Sequence, residues 1–124
     1  MILEDLCDYI EVETALVFDS TLLIGALESK IKGSCVVVQE FAGGFENWSG
    51  MIQHPIMVQA QDLTYLLAKT LIYTVYDLLQ NKAGFDDTAL SDVLFCEVLN
   101  RPFPLGQSPA GLFLFSMNFL LRMK

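Results

Sequence analysis

The side chains able to do covalent or acid–base chemistry in this chain are few and far apart. His54 is the only histidine, and Cys7, Cys35 and Cys96 are widely spaced. A thiolate–imidazole pair of His54 with Cys35 or Cys96 is the one nucleophilic arrangement the composition allows. A single histidine beside Pro55 in an extended segment reads more simply as a packed or surface residue. Asp86 and Asp87 adjoin in a polar loop with no apolar setting to separate their pKa values, so they read as solvated charges rather than an acid and a base. One histidine and three isolated cysteines give no metal-ligand spacing, and no calcium-loop pattern occurs. Gly43-Gly44 fits neither the dinucleotide fingerprint nor the phosphate loop. No catalytic residue, metal or cofactor is therefore assigned. Phe45 and Trp48 remain, on the glycine-rich segment Ala42–Gly50. Stacking on a base or sugar needs basic residues nearby, and this segment has none. The two rings either fold back as a lid on the core or insert into a neighbouring subunit, as aromatic anchors do.

Bulk properties narrow the choice further. The 124 residues predict a single domain, 1–124, large enough for a real core. Hydrophobic residues make up 53% of the chain, charged residues only 18%, and the mean hydropathy is +0.46. A domain this apolar is expected to hide part of its surface in a partner. The net charge of −8, with seven Lys and Arg, argues against neutralising phosphates, so neither specific DNA binding nor an anionic membrane surface is expected. The opening Met1-Ile2-Leu3-Glu4-Asp5 is acidic where a signal peptide needs basic residues, and no segment is long and apolar enough to span a bilayer. The Asn47-Trp48-Ser49 sequon is then coincidental. Three cysteines, odd in number and widely spaced, fit reduced, packed thiols better than a disulfide scaffold.

The longest signal is the alternation of residues 112–123. Phe113, Phe115, Met117, Phe119, Leu121 and Met123 share one strand face, while Leu112, Leu114, Ser116, Asn118, Leu120 and Arg122 share the other. Twelve residues of strand span about 40 Å, the full width of a domain this size. The first face is expected to pack on a helix, and Ser116, Asn118 and Arg122 suggest exposure on the second. Leu3, Leu6, Cys7 and Ile10 predict a short N-terminal helix with Glu4, Asp5 and Asp8 toward solvent. Residues 15–27 read as two short strands around Asp19-Ser20. Strands follow at Ser34–Phe41 and Met51–Ala60, the second with Pro55 at an edge or bulge. Asp62 is the expected N-cap of a helix from Leu63 to about Gln80, with a stripe of Leu63, Leu66, Leu67, Thr70, Leu71, Val75, Leu78 and Leu79. Val93–Asn100 is a further strand, and Arg101–Gly106, with two prolines, reads as an extended turn. The order predicts an α+β domain: a mostly antiparallel sheet of four to five strands, with the long helix and the short N-terminal helix on one face.

The run from Met51 through Gln59-Ala60-Gln61-Asp62 to Leu71, and the run from Arg101-Pro-Phe-Pro-Leu-Gly through Gly111 into the last strand, resemble the tail terminator and minor capsid family of long-tailed phages. Gly43-Gly44 after the preceding strand, Ala68 early in the helix and Pro102–Gly106 before the last strand carry the likeness, over roughly residues 34–124. The chain departs from the usual pattern at Gln59-Ala60, where an Arg is common, and at Gln107-Ser108-Pro109, where acidic residues are common. The resemblance implies a non-enzymatic virion protein, assembled in the host cytoplasm. It would form a hexameric ring on the head-proximal end of the tail tube. Its partners would be further copies of itself, the tail tube protein and a head-completion or connector protein, with DNA passing through unbound. Other head–tail connectors or tube-related subunits, or a small ligand-binding or cysteine-dependent domain, are the rival readings. A ring needs two different patches per subunit. Phe45, Glu46, Asn47 and Trp48 are expected to form one, and the Asp86–Asp87 loop or the edge near His54 the other. On this reading Trp48→Ala weakens assembly and leaves the fold intact.

Overall fold

A computed structural model describes residues 2–17, 21–25, 33–40, 45–46, 52–85 and 88–123. The chain runs α1 (Ile2–Glu13), β1 (Leu22–Ile24), β2 (Cys35–Glu40), β3 (Phe45–Glu46), β4 (Ile52–Asp62), α2 (Tyr65–Leu79), β5 (Lys82–Ala83), β6 (Val93–Gln107) and β7 (Phe113–Met123). Seven strands among the described residues form one sheet in the order β1-β2-β4-β7-β6-β5, with β3 pairing β4 off that path. Among the described residues only β1 pairs in parallel, with β2; the other ladders are antiparallel. This is the expected α+β class. The sheet has more strands than predicted because β3 and β5 are only two residues long, too short to leave a periodic signal.

β4 and β7 lie at the centre, joined by a ladder from Gln53–Arg122 to Asp62–Phe113. Strand alternation therefore places Ile56, Val58, Ala60, Phe115, Met117, Phe119 and Leu121 on one face, all buried. Leu6, Cys7 and Ile10 of α1 and Ala68, Ile72, Val75 and Leu79 of α2 close over that face in a single apolar cluster. The second face carries amides, Gln39, Gln53, Gln59, Gln61 and Asn118, between apolar side chains. Ser116, expected to be exposed, is only 3% accessible there, and Cys35, Val37 and Leu120 are buried beside it. Its polar groups are partly tied within the chain: Asn118 Nδ2 donates to Asn100 Oδ1 at 2.9 Å, and Arg122 pairs with Glu97 at 2.9 Å. A serine hydroxyl is small enough to lie beneath longer neighbours, so its polarity did not report exposure.

Three boundaries differ from the sequence reading. Residues 15–17 form no strand, so β1 alone represents the expected pair among the described residues. Asp62 does not cap the helix; it ends β4, where its carboxylate accepts hydrogen bonds from Ser34 Oγ (2.6 Å) and Leu63 N (2.7 Å). The cap is Thr64, whose Oγ1 accepts from Leu67 N at 3.2 Å, the reach an N-cap side chain needs. Arg101–Gly106 is not a turn but the outer half of β6. The turn comes later, at Ser108–Leu112, where Ser108 N donates to Leu112 O and Gly111 adopts a positive φ of 83° that suits glycine. Pro55, by contrast, lies as expected: the β2 ladder ends at Ile56 and the β3 ladder begins at Gln53. Position 55 has no strand partner on that side among the described residues, so a missing N–H costs little.

β6 accommodates its prolines through irregularity. Its fifteen residues face eleven in β7, and the register shifts four times. Leu94, Leu99 and Leu105 are extra residues at three of these bulges, and all three are exposed. β5 covers only Phe95 and Cys96, so from Glu97 onward the outer edge of β6 has no ladder partner among the described residues. Bulges together with Pro102 and Pro104 discourage the addition of another strand along this edge.

Candidate functional site

Geometry separates the groups that could have formed a nucleophilic centre. Cys35 pairs with Gln61 and projects from the sheet face opposite the helices, whereas His54 lies on the helix face. Cys96 shares His54's face and row, but Leu121 of β7 stands between them. Two strand spacings put their backbones about 10 Å apart. All three cysteines are buried, and none forms a disulfide among the described residues. Burial pushes the Cys35 thiol up to about 11, moderated by a hydrogen bond with Gln61, and pushes Cys96 up to about 12. Neutral, enclosed thiols are poor nucleophiles.

Two consequences can be measured. At pH 8, Cys35 and Cys96 should react with a thiol reagent only as fast as the protein unfolds, and at once in denaturant; prompt labelling of folded protein would contradict the burial. The unfolded thiols ionise from about 9.0 and the folded ones only near 11 and 12. Stability from the neutral thiols is therefore complete below pH 9 and declines as pH rises toward 12.

No three His, Cys, Asp or Glu side chains converge as a metal site among the described residues. No described helix is long and apolar enough to cross a membrane. The structure instead draws attention to contact surfaces. Of the residues expected at an interface, Phe45 and Glu46 form β3 rather than a loop and pair with Gln53 and Ile52. His54 follows directly in β4, its Nδ1 3.2 Å from Glu40 Oε1. Thus β3 and His54 lie at the same end of β4. Asn47, Trp48, Asp86 and Asp87 lie outside the described residues.

A different surface was hidden in the helix pattern. α2 has two apolar stripes. Ala68, Ile72, Val75, Tyr76 and Leu79 face the sheet, with Leu71 and Leu78 partly buried beside them. Leu63, Leu66 and Leu67, expected to face inward, are 65%, 70% and 49% exposed. Ala68 is small enough to let the helix settle against the sheet, and Tyr65 caps the contact by meeting the Phe115 and Phe113 rings edge-on at 5.1 and 6.2 Å. With Tyr65 itself half exposed, the first turn of α2 presents three large apolar side chains to solvent, and Leu63, just ahead of the cap, adds a fourth. A helix start normally carries acidic groups, but this one has none in its first turn.

Charge follows the same division. Residues 63–76 and 98–124 contain none of the chain's 15 acidic residues, while α1 carries Glu4, Asp5, Asp8, Glu11 and Glu13. The acid-free segments meet at one end of the sheet, where Asp62, Phe113 and Gln107 align across β4, β7 and β6. α1 reaches the other end of α2. There the Tyr9 ring meets Phe85 edge-on at 5.4 Å and lies 5.7 Å from Lys82 Nζ. Asp8, Tyr9, Val12 and Glu13 line a cleft of about 260 Å³ with Thr88 and Ala89.

No protein-family model matches the sequence, and no curated protein matches it. Among solved structures, the chain is similar to one in the virion of a native gene transfer agent (GTA) particle. The TM-score is 0.58 at 12% sequence identity, over 84% of this chain and 78% of that one. At this identity the likeness establishes a shared fold.

Proposed function

We propose that this chain is a structural protein of a phage or phage-like particle. In this reading it forms a ring, hexameric by family resemblance, that caps the head-proximal end of the tail tube and offers a surface to a head-completion protein. The observation that carries the reading is the fold held in common, over most of both chains, with a component of a virion. The exposed leucines of α2 and β6 support it, because an isolated domain gains nothing from leaving them in water. The excess of negative charge suits a channel through which DNA slides without adhering.

Native mass spectrometry and negative-stain microscopy of the purified protein test the reading: closed rings are expected, and added protein should stop the growth of a tail tube in vitro. A strict monomer at high concentration would refute it. Trp48→Ala asks whether the glycine-rich segment contributes: the variant should remain folded and assemble less well.

A further inference from the structure

We propose that the acid-free turn of α2 around Leu66 and Lys69 docks into the acidic cleft beside α1 of a second copy, Leu66 entering between Val12 and Ala89 and Lys69 meeting the carboxylates of Asp8 and Glu13. The inference rests on the ring reading above and names the two surfaces that would meet. Three observations lead to it.

First, copies carrying a net charge of −8 repel one another, so contact is favoured where one of the two faces lacks acid. The first turns of α2 carry no acidic side chain until Asp77, which lines the far end of the same groove as Leu66 and Lys69, and Leu66 is 70% accessible. Second, the cleft has the opposite character. Asp8 and Glu13 stand on its wall, Val12 beside them is 80% exposed, and about 260 Å³ is room for a leucine side chain. Lys69, one helical turn beyond Leu66, projects from the same side of α2 and can reach the rim once Leu66 is seated. Third, the two surfaces lie at opposite ends of α2, whose fifteen residues span about 22 Å. One patch cannot reach the other within a chain. Two different patches meeting between copies make a heterologous contact, which closes into a ring when the rotation permits.

Sedimentation velocity of the full chain over a range of concentrations provides the test, with circular dichroism to check folding. Leu66→Asp should weaken self-association about 30-fold or more, the effect of losing a buried anchor. Lys69→Glu should weaken it about 10-fold at low salt, and adding Asp8→Lys to Lys69→Glu should recover most of that loss. If wild type assembles and both single variants assemble equally well, the docking surfaces are wrong and the ring reading stands. If wild type remains monomeric throughout, the ring reading fails and the docking inference fails with it. Weakening by Lys69→Glu with no recovery in the charge swap would also overturn the pairing.

Discussion

Phe119→Ala is expected to lower the stability of the folded chain by about 3–5 kcal/mol, the usual cost of emptying a large aromatic site in a core. Phe119 sits midway along β7, pairs with Ile56 on one side and Val98 on the other, and is 1% exposed. Above it the Tyr76 ring of α2 lies 6.3 Å away at 30°. Its neighbours belong to two other strands and a helix, so no single element can shift to fill the space. In thermal melts the change corresponds to a fall of roughly 10–20 °C for a chain of this length. A loss under about 1 kcal/mol in urea, with the slope unchanged, would show that β7 does not bear this face on the core.

Ala68→Leu should cost about 1–3 kcal/mol by overpacking, although leucine is a good helix former and an abundant residue of this same helix. Ala68 is fully buried where α2 lies on the sheet. Leu67→Ser, one residue away, should change stability by only about 0.5 kcal/mol, because that side chain is 49% exposed. The pair of variants fixes the rotation of α2 by denaturant titration of the monomer. Were Leu67→Ser the costlier change, α2 would be turned as its leucines alone suggest, and the exposed face proposed for assembly would vanish.

That rotation shows where sequence reasoning stopped. The helix was legible because apolar residues recur at helical spacing through 63–79, but two interleaved stripes fit the same period. Counting leucines favours Leu63, Leu66 and Leu67, whereas packing favours the smaller Ala68, which brings the backbone close to β4 and β7. The closing strand was legible for the opposite reason: strict alternation over eleven residues admits one phase, and its core face was as expected. β6 was cut short because two prolines within six residues look like a turn, and only the pairing partner reveals that bulges absorb them. The distance of His54 from Cys35 and Cys96 was not readable, because it depends on the strand order that sets Leu121 between His54 and Cys96 and turns Cys35 to the other face. The acidic cleft was not readable, because α1 and the Thr88–Ala89 turn are distant in sequence and meet only once α2 has reversed the chain.

The position of β7 between β4 and β6 also bears on how the chain reaches this state. β6 and β7 form a hairpin of neighbours, so their pairing closes a short loop. The β4–β7 ladder must instead bring Gln53 to Arg122 and Asp62 to Phe113, across all of α2 and β6. Closing that span costs chain entropy before its ten paired residues repay it. The seam between the two halves of the sheet is thus the pairing expected to form late in folding. While it is open, the apolar faces of β4 and β7 are both bare, which makes folding kinetics, rather than final stability, the stage at which this chain is most exposed to aggregation.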